Sequence, residues 1–335
     1  MTLETIWFCI IVLFWLGYLF LEGFDFGVGM LLPILGRDNT ERRVMINTIG
    51  PVWDGNEVWL IVAAGAMFAA FPGWYASLFS ATYLPLLLVL LALIGRGVAF
   101  EYRGKVDSER WRRNWDRVIM IGSWVPPLGV GLILTTTILG LPLDEHGNRI
   151  GGAFESVRWD TLLGGLAVVG FALVHGAAFL ALKTAGDLRE RARLFAIRAL
   201  PVALVPLFAL LAVVQWREGA LWTLVALGVA AVAAVVAWRK LVADRDGQAF
   251  AALGVTIAAA VVTLFGALYP DVLPSTLDPA NSLTVADTAS SPYTLEVITW
   301  VGAFGAPAVL VYQGWTYWVF RKRISAAHIP PVHTP

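Results

Sequence analysis

The sequence predicts an all-α integral membrane protein of nine transmembrane helices, with the N-terminus outside and the C-terminus in the cytoplasm. Three observations carry this reading. Only 14% of the 335 residues are charged and 58% are hydrophobic, against roughly a quarter charged in a soluble domain; the mean hydropathy is +0.72. Mostly apolar stretches of about 20 residues, the length that crosses a bilayer, recur along the whole chain. Lys and Arg gather between alternate stretches, as the positive-inside bias requires.

The first stretch, 5–35, is too long for a signal-peptide core, lacks a basic leading region and contains Glu22 and Asp25, so it reads as a retained helix. The others are 51–71, 76–100, 118–141, 160–183, 198–216, 220–239, 249–269 and 294–320. The stretch 198–216 is short and holds Pro201 and Pro206, which a membrane helix tolerates when neighbours satisfy the freed carbonyls. Twenty of the 24 Lys and Arg fall on one side. They follow stretches one, three, five and seven or form the tail at Arg321, Lys322 and Arg323. The other side has Arg149, Arg158 and Arg217, and Arg96 lies within a span. Trp7, Trp74, Trp111, Trp159 and Trp216 fall near predicted interfaces, where an amphipathic ring sits well. The outer segment 269–292 is rich in turn residues and reads as an ordered or semi-ordered loop. The tail beyond Arg323, with His328 and His333, reads as disordered. Cys9 is the single cysteine, so no disulfide framework or cysteine metal site is available. No basic domain interleaved with aromatics marks a nucleic-acid partner.

An ionisable residue inside a span is costly and marks a functional site by default. Helix 1 carries Gly23-Phe24-Asp25-Phe26-Gly27-Val28-Gly29, in which Gly23 and Gly27 let another helix approach closely. Asp25 lies about 15 Å from the cytoplasmic end; it serves either as a structural carboxylate or in a proton relay. Helix 2 opens with Trp53-Asp54-Gly55-Asn56-Glu57. If the helix starts near Asn39 and kinks at Pro51, Asp54 sits about 20 Å along it, inside the protein. Asp54 and Glu57 share a face, and two carboxylates in low dielectric cannot both ionise cheaply, which is the property a proton-transfer step requires. Arg96 in helix 3 needs a buried partner, for which Asp25 and Asp54 are the candidates. Glu101 and Lys105 are four residues apart and form either a surface pair or a proton-collecting mouth.

Haem iron is held by His, Cys or Met, and several such groups must converge for a multi-haem subunit. His146 is in an outer loop, two histidines are in the tail, and only His175 lies in a span. No metal site is therefore expected, and redox metals belong to another chain if the protein serves a redox enzyme.

These motifs resemble the smaller, non-haem subunit II of cytochrome bd-type quinol oxidases along most of the chain. The resemblance rests on the helix 1 motif at 23–29, Thr40-Glu41-Arg42-Arg43-Val44-Met45-Ile46-Asn47, and Trp53-Asp54-Gly55-Asn56-Glu57-Val58-Trp59-Leu60. It also rests on Arg96 with Phe100-Glu101-Tyr102-Arg103, Gly122-Ser123-Trp124-Val125-Pro126-Pro127, and Asn281-Ser282-Leu283 ahead of Asp287-Thr288-Ala289-Ser290-Ser291. It implies nine helices in two four-helix bundles plus one peripheral helix, divided as 1–141, 142–269, a loop and ninth helix over 270–320, and a tail over 321–335. It implies a heterodimer with a subunit I that binds b-type and d-type haems, in a bacterial cytoplasmic membrane with lipid and quinol. Small accessory subunits and a bound quinone are left open. The complex would oxidise quinol outside and reduce O2 to water with cytoplasmic protons. The position of Asp54 belongs to the family's proton path, with those of Glu101 and Lys105 at its entrance; Asp25, Trp53, Glu57 and Arg96 would support it. The sequence departs from some relatives in its short 216–220 link and in Glu rather than Gln at 57. A secondary transporter with midplane charges and a purely structural subunit are the rival readings.

Overall fold

The computed structural model describes residues 2–152 and 154–328. The described residues are mostly helical, and the helices follow the apolar stretches. The first is α1 (Leu3–Leu35), capped by the Thr2 hydroxyl. Asp38 caps α2 (Asn39–Ile49), and a turn at Gly50-Pro51 leads into α3 (Trp53–Ala70). Pro51 therefore breaks the predicted long helix in two, since proline removes a backbone donor and clashes with the preceding turn. The third predicted span is likewise interrupted. It divides into α4 (Pro72–Ala81) and α5 (Tyr83–Tyr102) around Thr82, whose hydroxyl donates back to the Leu78 carbonyl at 2.8 Å.

Beyond these, α6 (Glu109–Leu139) begins well before the predicted span because Ser108 caps it. Next come α7 (Trp159–Lys183), α8 (Asp187–Ala203) and α9 (Val205–Glu218), the last two split at Leu204 between Pro201 and Pro206. A two-residue link, Gly219-Ala220, leads to α10 (Leu221–Val242), followed by α11 (Asp246–Leu268). The outer segment is ordered. It holds β1 (Asp271–Leu273) and β2 (Leu283–Thr284), paired antiparallel, then α12 (Val285–Thr288) and α13 (Pro292–Val319). Among the described residues, eight helical segments are long and apolar enough to cross a membrane, with α8 and α9 forming one of them. The segment α3 is not among the eight, because Asp54, Asn56 and Glu57 crowd its first turns.

Helix α1 packs against α3, α6 and α7, and α7 also packs against α6, α8, α9 and α11. Glycine makes two of these crossings possible. A methyl group added at Gly27 would lie 2.0 Å from the Ala172 carbonyl oxygen, and one at Gly176 would lie 2.4 Å from the Gly27 carbonyl carbon. The backbones of α1 and α7 thus touch directly, as small residues permit in membrane bundles. Gly131 on α6 meets Gly164 on α7 in the same way.

Two expectations are corrected. Trp7 and Trp74 are buried rather than interfacial: their indole N–H groups donate to Thr299 (2.9 Å) and Thr137 (2.7 Å), so they are held by the core. Trp159 and Trp216 are exposed at helix ends, and Trp111 donates to the Tyr102 carbonyl. The start of the tail is docked, not loose. Lys183 donates to the carbonyls of Phe320 and Lys322, Arg323 pairs with buried Asp246 at 3.1 Å, and Ile324 bonds through its backbone to Lys183 and Ala185. His333 lies outside the described residues.

Gly176→Val should lower the thermal stability of the purified protein by about 1–3 kcal/mol, the scale of core overpacking. Gly228→Ala, where an added methyl meets nothing within 4 Å, should change it by less than about 1 kcal/mol. Thermal unfolding in detergent measures both.

Candidate functional site

One face of α1 presents Tyr18, Glu22 and Asp25, spaced four and three residues apart so that they stack along the helix. All three are buried. Arg96 reaches across from α5 to pair with Glu22, and a Glu57 oxygen lies 3.9 Å away. The guanidinium also lies over the rings of Phe26 (4.7 Å) and Phe100 (5.1 Å), a contact strengthened where water is scarce. Trp53 packs on Phe100, with ring centroids 5.1 Å apart, and so braces α3 against α5.

The helical turn from Asp54 to Glu57 distributes its polar groups three ways. Asn56 points inward, where its amide donates to Asp25 at 2.6 Å. Glu57 is partly covered and leans toward Arg96. Asp54 faces outward and is exposed. The ninth predicted span then closes on the same point. From α13, Gln313 (3.1 Å) and Tyr317 (2.7 Å) both donate to the Asn56 oxygen, while Trp59 donates to Gln313 at 3.0 Å. Several buried atoms here have no hydrogen-bond partner among the described residues: one oxygen each of Glu22, Asp25 and Glu57, two Arg96 nitrogens, the Tyr18 hydroxyl and the Trp15 N–H. Buried polar groups require partners, and this cluster therefore gathers unmet donors and acceptors at one point of the bundle.

A second cluster closes the end of α5. Arg103 is buried and donates to Asp116 at 2.5 Å and 3.4 Å and to Asn39 at 3.0 Å; Arg42 donates to the same carboxylate at 3.2 Å. Glu101 and Lys105 lie on the exposed side of this end. The helix stops at Tyr102, so the two are not stacked on one helical face, and among the described residues no ion pair joins them.

Sequence reasoning expected Asp25 or Asp54 to pair with Arg96. The structure corrects this: the partner is Glu22, because Asp25 is turned toward Asn56 and Asp54 away from the core. Nor is Asp54 inside this chain, because its position on α3 rotates it to the surface. Glu22 could have been found from its three-residue spacing to Asp25; Asn56, Asp116, Gln313 and Tyr317 needed the fold.

His175 was the one histidine available for haem, and its surroundings do not suit that role. It is fully buried, stacked on Phe250 at 4.4 Å and Phe171 at 4.8 Å, with Phe20 and Phe24 beside it. Its Nε2 bonds to the Phe20 carbonyl at 3.1 Å, so a macrocycle would have to displace the core to reach the ring. Among the described residues, no group of three His, Cys, Asp or Glu could hold a metal ion.

Residues 3–320 match the family model described as cytochrome bd terminal oxidase subunit II. The chain is 42% identical to the cytochrome bd ubiquinol oxidase subunit 2 of Bacillus subtilis, covering 97% of each. It is 37% identical to the cytochrome bd-I ubiquinol oxidase subunit 2 of Escherichia coli K12, covering 98% of this chain and 96% of the relative. A chain of the bd oxidase from Geobacillus thermodenitrificans shares the fold, with a TM-score of 0.76, 19% identity, and coverage of 95% and 97%.

Removing Arg96 would leave Glu22 buried without its cation. Arg96→Gln should therefore cost about 3–5 kcal/mol of stability, and Glu22→Gln in the same chain should recover a large part of it. A double-mutant cycle on thermal unfolding measures the coupling.

Proposed function

The chain belongs to the cytochrome bd terminal oxidase subunit II family, and from that premise we propose that it scaffolds the haem-bearing subunit of a quinol oxidase and carries cytoplasmic protons to it. As such a subunit it takes part in a quinol:O2 oxidoreductase. The oxidase draws electrons from quinol and reduces O2 to water. Quinol releases its protons outside, whereas protons for water enter from the cytoplasm, so turnover separates charge across the membrane.

The observation that carries the reading is the placement of Asp54. It is an exposed carboxylate in the first turn of α3, followed on the same helix by exposed Val58, Ile61 and Val62. Hydrocarbon would oppose a charge there. A protein surface able to accept its proton fits, and a subunit holding the redox centre is such a surface. Protons enter in this reading at the exposed Glu101 and Lys105 and pass to Asp54. Trp53, Arg96, Glu57 and Asp25 keep that end of α3 rigid and polar.

Nine crossings follow when α3 is counted with the eight strongly apolar segments. The charge bias then sets the N-terminus outside and the C-terminus in the cytoplasm of a bacterial cell. We divide the chain into a bundle over 1–141, a second over 142–269, an outer loop with a peripheral ninth helix over 270–320, and a tail over 321–335. The b-type and d-type haems sit in subunit I in this scheme, consistent with the crowded setting of His175.

Asp54→Asn should slow oxygen uptake per haem by at least about tenfold, within the range of a lost proton-transfer group, while haem content and subunit ratio stay unchanged. Full turnover with full charge separation in that variant would reject the relay and leave a scaffold alone.

A further inference from the structure

Helix α13 covers little of the bundle: of its 28 residues only Leu295 is buried. Apolar packing therefore does little to fix it, and its cytoplasmic half is instead fastened by polar groups. Gln313 and Tyr317 lie four residues apart, on one face of the helix, and both meet the same acceptor, Asn56 Oδ1.

The direction of every bond in this fastening is determined. Gln313 accepts from the Trp59 indole through Oε1, so its Nε2 must be the donor to Asn56. Tyr317 donates its hydroxyl to the same oxygen. Asn56 Oδ1 then has both lone pairs occupied, and its Nδ2 is left to face Asp25 at 2.6 Å and, at 3.5 Å, the Leu21 carbonyl. An asparagine amide can rotate to exchange its donor and acceptor ends. Two donors arriving from α13 forbid that rotation. Without them, the amide would follow the Asp25 carboxyl instead of directing it: an ionised Asp25 would hold Nδ2, and a protonated one could turn Oδ1 inward and donate to it.

We propose that Gln313 and Tyr317 are positioning residues that act through Asn56 to hold the Asp25 carboxyl in one orientation, coupling the seating of the ninth helix to a buried acid next to the proton route. The effect on turnover rests on the route proposed above; the coupling itself does not. Asp25 is also faced by Glu22 of its own helix, Glu57 of α3 and Arg96 of α5, none of which touches α13 through a hydrogen bond or ion pair among the described residues. Tyr317 also lies within electrostatic reach of Asp25 and Glu22, but the hydrogen-bonded path from the α13 donors to Asp25 runs through Asn56.

The test is a double-mutant cycle in the complete oxidase, read as oxygen uptake per haem. Tyr317→Phe and Gln313→Met remove the donors while keeping volume, and each should slow turnover, with the pair slowing it about tenfold, the scale of one lost hydrogen bond to a charged network. Tyr312→Phe, at an exposed tyrosine of the same helix, should leave turnover unchanged. In an Asp25→Asn background the two donor substitutions should add no further loss. If Asp25→Asn fails to assemble, Asp25→Glu, which retains the acid but displaces it, supplies the same cycle. Additive losses, or full turnover in the Tyr317→Phe, Gln313→Met double variant, would overturn the coupling. Asp54→Asn measured alongside separates the two ideas: full activity there removes the proton route, whereas additivity at 25 and 317 with Asp54→Asn impaired removes only the coupling.

Discussion

The ion pair between Arg96 and Glu22 is the constraint around which this half of the molecule is arranged. Both side chains are wholly buried, and taking each charge out of water costs several kcal/mol. The cost is met only if the surroundings stay fixed, which explains the company the pair keeps. Phe26 and Phe100 bracket the guanidinium, Trp53 braces Phe100, and Glu57 leans in from α3. Moving α1, α3 or α5 relative to the others would expose a bare charge to apolar surroundings.

That rigidity gives Asp54 its meaning. Residues 54, 56 and 57 share barely one helical turn, yet they face the outside, the buried acid and the buried cation respectively. Once Asn56 and Glu57 are tied inward, Asp54 has no freedom to turn in. The same helix therefore carries a structural interior and an outward carboxylate, and in the proposed scheme its outer face is the one that meets the haem-bearing subunit.

Much of this was legible in the sequence, for reasons of solvent. A bilayer demands long apolar helices and sorts Lys and Arg by side, so the spans and the alternation of charge could be read directly. Costly intramembrane charges also advertise themselves, as Asp25 and Arg96 did. Pairing was not legible. Which acid meets Arg96 depends on the rotation of α1 and α5 about their axes, which a hydropathy profile does not encode. The same holds for Trp7 and Trp74, placed by their span positions at interfaces but drawn inward by hydroxyl partners, and for Asn56, a polar residue whose two ends are assigned only when α13 arrives.

The docking of the C-terminal strap has a consequence for biogenesis. Phe320, Lys322, Arg323 and Ile324 are held by Lys183, Ala185 and Asp246, groups made much earlier on the ribosome. Helix α13 and the strap thus arrive at groups synthesised before them: Arg323 joins Arg189 on Asp246, and Gln313 and Tyr317 satisfy the Asn56 oxygen. The strap thereby ties the foot of α13 to the end of α7 and the start of α11, so these elements cannot shift apart without breaking it.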